Sequence, residues 1–243
     1  MSMEFEPKYT ITPKLLNKIK EITRITTNLN NKRFPDTIKT ELAKRSVSLS
    51  VYSSTGIEGN PLSLTEVKKI LKNKPENIRD SEKEVLNYNE ALVYLQKNLE
   101  KNLSLNNKLV LDINKKVLKG LFSKEKLENY RSTPVAVNNP KSGEVVYLPP
   151  DAEDIQNLVN SLLSFVNKNK KIIDPVILAG IFHKQFVIIH PFIDGNGRTV
   201  RLLTKLLLAN MGIDTFNLFS FENYYNKNVT KYFQNVGLFG NYY

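Results

Sequence analysis

The stretch "FHKQFVIIHPFIDGNGRTVRLLTKLLLANM", residues 182–211, sets the architecture. Two apolar helical runs flank a short polar turn. Pro191 ends the first run near His190, because a residue ahead of proline resists helical angles. Gly195 and Gly197 flank Asn196, so the turn can take positive φ and come close to a ligand. Backbone N–H groups in such a turn, at the start of the second helix, form an anion site. Arg198 and Arg201 are three apart and share one face of that first helical turn. Two cations there oppose the helix dipole unless anions neutralise them. Asp194 adds the kind of single carboxylate by which Mg²⁺ is held together with substrate phosphates. His190 is the nearby residue suited to proton transfer at neutral pH. These parts describe a site for a polyphosphate and a divalent metal, faced by a histidine.

Outward from this turn the chain reads as all-α. Hydrophobic periodicity and cap signals predict helices over about 13–29, 36–58, 64–73, 77–99, 106–119, 152–168, 174–189, 198–211 and 221–236. Ser63 and Glu66 form a capping box. Asp151 and Asp174 are the expected caps of the helices that follow them. The segment 71–80, "LKNKPENIRD", is the best domain boundary. It divides an N-terminal helical region, 1–75, from a core, 76–243. One segment breaks the helical pattern. Val135 and Val137, then Val145 and Tyr147, alternate around an Asn-Asn-Pro-Lys-Ser-Gly turn, which reads as a β-hairpin. A lone hairpin cannot form its own core, so it lies on the helices as a packing element or as a flap.

Composition narrows the classes. The 243 residues hold 41% hydrophobic residues, enough for a real core. There are no cysteines, which excludes disulfides and thiolate zinc sites and fits a reducing, cytoplasmic setting. The N-terminus has no signal-peptide pattern, and no apolar run is long enough to span a membrane. The net charge is +11, but the lysines are scattered, which reads as a solvated basic surface rather than a nucleic-acid patch. His183 lies seven residues before His190. It reads as a packed core residue, since no His-Glu-x-x-His spacing supports a metal pair.

The stretch "YSSTGIEGNP", 52–61, poses a separate question. Ile38, Leu42, Leu49 and Tyr52 give the helix over 36–58 one apolar face. Gly59 and Asn60-Pro61 stop it. Glu58 then sits in the last turn, where a carboxylate opposes the helix dipole at about 0.3–1 kcal/mol.

"HPFIDGNGRTVR", 190–201, resembles the signature of the Fic (Fic/Doc) family, with every fixed position matched. "YRSTPVAV" and "VYLPP" resemble the family's flap region, and the likeness runs over about residues 46–243. The resemblance implies a helical bundle with a small β-hairpin flap, and transfer of AMP from ATP to a Ser, Thr or Tyr hydroxyl of a protein. It implies His190 as general base and Asp194 as the ligand of Mg²⁺ or Mn²⁺. Gly195, Asn196, Gly197 and Arg198 would cradle the phosphates, and Arg201 would hold the γ-phosphate. Val145, Val146 and Tyr147 would register the target chain by strand addition. Asn228, Tyr232 and Asn241 are candidates for the adenine pocket, with an aromatic core as the competing reading. "SSTGIEGN" resembles the family's inhibitory motif. Glu58, with Ser54 one turn earlier, would then pair with Arg201 and deny it to ATP, in the class whose inhibitory helix is N-terminal.

The expected function is thus an autoinhibited protein adenylyltransferase with ATP and an unidentified target protein as partners. The alternatives are the same site removing AMP, a transferase using another nucleotide, and a non-enzymatic nucleic-acid-binding regulator favoured only by charge.

Overall fold

The computed structural model describes residues 4–99, 104–123, 127–138, 144–213 and 219–237. Helix α1 is Pro13–Asn30, α2 Asp36–Ile57, α3 Leu64–Lys72, α4 Asp80–Lys97 and α5 Asn107–Val117. Two short antiparallel strands follow, β1 at Val137–Asn138 and β2 at Val145–Tyr147. Then come α6 at Ile155–Asn169, α7 at Pro175–Ile189, α8 at Asn196–Asn210, α9 at Phe221–Lys227 and α10 at Val229–Val236. The expected helical bundle with a small hairpin is the observed fold. The hairpin turn at 139–143 lies outside the described residues.

Helix α8 is the axis of the bundle. Every residue from Arg198 to Leu207 is buried, so it has no solvated face. Val200, Leu202, Leu203 and Leu206 pack with Leu178, Phe182, Phe186 and Ile189 of α7. Tyr88, Leu92 and Leu95 of α4 and Val110 and Ile113 of α5 belong to the same cluster. So do Val51, Val67 and Ile70 from the N-terminal helices and Leu62 from the turn between α2 and α3. Burial all round forces each polar side chain of α8 to find a protein partner or accept one from a ligand.

Several local expectations change. Helix α8 begins at Asn196, because Gly195 with φ 76 is its N-cap. Gly197 therefore lies inside the first turn and is not a positive-φ residue. The expected helix over 221–236 is two helices, broken at Asn228 with ψ 40. Asp151 occupies an N-cap position but makes no capping bond; a 3₁₀ turn, Ala152–Asp154, leads into α6 instead. Asp174 does cap α7, accepting from the N–H groups of Val176 and Ile177. The capping box of Ser63 and Glu66 is present.

The largest departure is in α2. The stripe of Ile38, Leu42, Leu49 and Tyr52 is not its buried face; Ile38 is 47% exposed. The buried residues are Ser46, Ser50, Val51, Ser53, Ser54, Thr55 and Ile57. Small residues win because α2 packs closely on α9: a Cβ on Gly56 would lie 3.5 Å from the Asn226 side chain. The first turns of α2 run beyond the core and are exposed.

Candidate functional site

His190 closes α7. It is the C-cap and is left-handed, with φ 51 and ψ 60, the only non-glycine at positive φ among the described residues. That conformation costs about 1–2 kcal/mol, so surrounding bonds must hold it. The His190 N–H donates to the carbonyl of Phe186 at 3.0 Å. Its carbonyl accepts from Arg131 Nε at 2.8 Å. Its ring Nδ1 lies 3.3 Å from the Val187 carbonyl. A carbonyl can only accept, so Nδ1 carries the proton and Nε2 keeps its lone pair. Burial lowers the His190 pKa; the Val187 bond and the charges of Glu58 and Asp194 oppose this, and Arg131 adds to it. The ring is therefore favoured in its neutral form, with the Nε2 lone pair available.

After Pro191, Phe192 packs into the core, and Asn196 folds back on it. Asn196 Oδ1 accepts from the Phe192 N–H at 2.9 Å, while its Nδ2 donates to the Phe192 carbonyl at 2.8 Å. Asn196 thus locks the turn. The Asp194 carboxylate accepts from the Gly195 N–H at 2.6 Å and from Arg198 Nη2 at 2.8 Å. Gly195 brings no side chain to cap α8, so the first-turn N–H groups face outward as an anion site.

The two arginines are neutralised by carboxylates. Arg198 is 3% exposed and meets Asp194 and, at 3.2 Å, Glu84. Its Nε and Nη1 lack an aligned hydrogen-bond acceptor. Glu84 in turn accepts from Asn60 Nδ2 at 2.8 Å, two residues past Glu58. Arg201 is fully enclosed. Its Nη2 donates to Glu58 Oε1 at 2.7 Å and to the Ser54 carbonyl at 2.9 Å, and its Nε donates to Ser54 Oγ at 2.8 Å. Burial is the largest influence on Arg201 and opposes its charge, but Glu58, Tyr232 and Tyr88 together outweigh it and hold the pKa above the ordinary value. Glu58 is the C-cap residue of α2, and Gly59 follows at φ 93. Gly197 has its own reason to be glycine: a Cβ there would stand 2.2 Å from Glu58 Oε1.

Behind Arg201 lies a buried polar layer. His183 bridges Thr204 Oγ1 at 3.0 Å and the Tyr232 hydroxyl at 2.9 Å. Burial lowers its pKa to about 3, as befits a core residue. Tyr232 is buried, stacks on Tyr225, and its hydroxyl also lies 3.4 Å from Arg201 Nη1. Asn228 Nδ2 donates to the Tyr224 carbonyl at 2.8 Å. Asn241 lies outside the described residues. Glu222 of α9 and Lys205 of α8, both without exposure, are 3.4 Å apart, and Glu222 accepts from Ser50 of α2 at 3.0 Å.

The hairpin stands beside His190. The Tyr147 hydroxyl donates to the Ile188 carbonyl at 2.9 Å, and Val145 is 57% exposed. The backbone of Val146 lies in β2. Of the residues the sequence reading grouped, Ser54 and Glu58 bond Arg201, Asp194 bonds Arg198, and His190 stands near enough to Glu58 and Asp194 to feel their charges. That reading missed Arg131, Glu84 and Glu222. None of the three left a signal in the local sequence pattern.

Asp194 is a side chain suited to a hard cation; it is 44% exposed. Among the described residues no group of three or more acidic or histidine side chains could hold a metal without a substrate. That donor set fits a Mg²⁺ that retains water and shares its ligation with phosphates. Among the described residues no helix is long and apolar enough to cross a membrane.

Residues 104–208 match the model of the "Fic/DOC family". A "Protein adenylyltransferase Fic" of Nematostella vectensis is 34% identical over 67% of this chain and 37% of its own length. One from Aedes aegypti is 35% identical over 67% of this chain and 32% of its own. The chain thus spans about a third of the length of these curated relatives. The crystal structure of a Fic family protein from Desulfovibrio desulfuricans G20 superposes with a TM-score of 0.76, covering 96% of this chain and 69% of that one at 24% identity. With the matched signature, the match over 104–208 and relatives 34–35% identical over two thirds of its length, the chain belongs to the Fic/DOC family.

Proposed function

We propose that the chain is a protein adenylyltransferase restrained by its own helix α2. It moves AMP from ATP to a Ser, Thr or Tyr hydroxyl of a target protein or of itself. The observation that carries the restraint is the enclosure of Arg201, whose shortest donated bond goes to Glu58. The names of the relatives support the activity.

The His190 ring is neutral with Nε2 free, the form a general base needs. It takes the hydroxyl proton as the oxygen attacks the α-phosphorus. A new P–O bond forms there, the bond to the bridging oxygen breaks, and pyrophosphate leaves. The outward N–H groups of Gly197 and Arg198 at the start of α8 receive phosphate oxygens, and the Arg198 guanidinium adds charge. Asp194 would hold Mg²⁺, which neutralises phosphate charge when bound. Arg201, once free of Glu58, orients the γ-phosphate so that the leaving group lies in line. The strand at Val145, Val146 and Tyr147 docks the target chain by strand addition.

The test uses purified protein with Mg²⁺ and α-labelled ATP. Label appears on the chain in Glu58→Gly, is weak in the wild type, and vanishes in Glu58→Gly with His190→Ala. Equal label in wild type and Glu58→Gly removes the restraint from this reading. Label that survives His190→Ala removes the base.

A further inference from the structure

Arg131 is 3% exposed, and its side-chain hydrogen bonds run to backbone carbonyls. Its Nε donates to the His190 carbonyl at 2.8 Å. Its Nη1 donates to the Thr133 carbonyl at 3.1 Å, and its Nη2 donates to the Pro150 carbonyl. Its own N–H donates to the Pro191 carbonyl at 2.9 Å. Thr133 precedes β1 and Pro150 follows β2, so they are the two roots of the hairpin. His190 and Pro191 are the end of α7, where carbonyls lack intrahelical partners and the helix dipole is negative. A planar guanidinium, with its donors fixed in a fork, is the side chain able to fasten three separate strands of backbone at once.

We propose that Arg131 is the positioning residue that sets the base and the flap in register. It rests on the reading of His190 as base and of the hairpin as target dock. If Nε2 of His190 must meet a hydroxyl presented on β2, the distance between α7 and the hairpin has to be fixed. Two ties fix it: Arg131 at the roots and the Tyr147 hydroxyl on the Ile188 carbonyl. Neither touches the turn 195–198 or Arg201. Their loss therefore falls on the alignment of the acceptor rather than on nucleotide binding. Arg131 also has an electrostatic part. Its charge, with Asp151 as counter-charge, stands close enough to disfavour a protonated His190.

The experiment measures self-labelling rates against ATP concentration in the full chain carrying Glu58→Gly. Arg131→Gln is expected to lower the maximal rate about 10–100-fold and to leave the half-saturating ATP concentration where it was. Arg131→Lys, which keeps the charge but not the fork, is expected to fall between. Tyr147→Phe, which breaks the other tie, should lower the rate in the same sense. Should Arg131→Gln fail to fold, Arg131→Lys and Tyr147→Phe decide the matter. Parent rates in Arg131→Lys and Tyr147→Phe overturn the proposal, as does a loss seen only in the ATP requirement. If the parent labels equally with and without His190→Ala, the base itself is misassigned, and the Arg131 proposal falls with it.

Discussion

Glu58 Oε1 lies 2.7 Å from Arg201 Nη2, and this bond joins the end of α2 to the buried centre of α8. The arginine side chain has no exposure and the glutamate side chain 31%. The pair is therefore lopsided: Glu58 can be withdrawn into water, whereas Arg201 has nowhere to go. A charge in that position will take another anion when its carboxylate leaves.

The first prediction concerns that exchange. Glu58→Gly raises self-labelling by about 5–150-fold, the usual span of a coupling between two states. Glu58→Gln, which keeps the shape and a weaker acceptor, gives a smaller rise. Both variants unfold at lower temperature than the wild type, because Arg201 keeps only Ser54 and Tyr232 as partners. Added ATP with Mg²⁺ restores part of that loss in thermal scans.

His190→Asn tests the base without disturbing the turn. Asparagine tolerates the left-handed backbone that His190 adopts. In the Glu58→Gly background the labelling rate falls about 10²–10⁴-fold, while the melting temperature stays close to the parent. With His190 intact, the rate climbs with pH through a midpoint below 6.5 and is flat above it. The sign follows from burial, which lowers the folded pKa and so frees the base at lower pH.

Gly197→Ala addresses the close approach of α8 and α2. The new Cβ would stand 2.2 Å from Glu58 Oε1 and 2.9 Å from Arg201 Nη1. The overpacking costs about 1–3 kcal/mol and pushes Glu58 off the arginine. Denaturation curves should show a smaller penalty for the same substitution in the Glu58→Gly background, where the nearest obstacle is gone.

His183 makes stability depend on acid. Its folded pKa of about 3 lies below the unfolded value near 6.5. Between those values the unfolded chain binds a proton that the folded chain refuses, so stability rises with pH through that window and is fully present above about 6.5. The contribution lost on going to pH 4 is on the order of 3 kcal/mol. Carboxylates titrate over the same range, so the comparison is made with His183→Gln. Its fall in melting temperature between pH 7 and pH 4 should be shallower than that of the wild type.

Much of this was legible in the sequence, because local rules governed it. Pro191, Gly195 and Gly59 punctuate the helices as their backbone preferences require. Asp174 and Ser63 cap where cap chemistry places them. Other features depended on what packs across the gap. The expected apolar stripe of α2 is at most half-buried, because the face turned to its close neighbour α9 is rich in small residues. Asp151 sat at a helix start but made no cap bond. Arg131, Glu84 and Glu222 act on residues 59, 114 and 172 positions away in the chain, and no periodicity reports such partners.

The face that α2 buries has a mechanical consequence. Leucine and phenylalanine attract in any orientation, so a helix docked through them can slide or roll and stay attached. Hydroxyls do not tolerate such drift. Ser50 on Glu222 and Ser54 on Arg201 are satisfied in one seat only, and a roll of one residue would leave buried donors and acceptors bare. Seated α2 thus behaves like a key cut with polar teeth: it fits in a single register and leaves by a whole step rather than by gradual loosening.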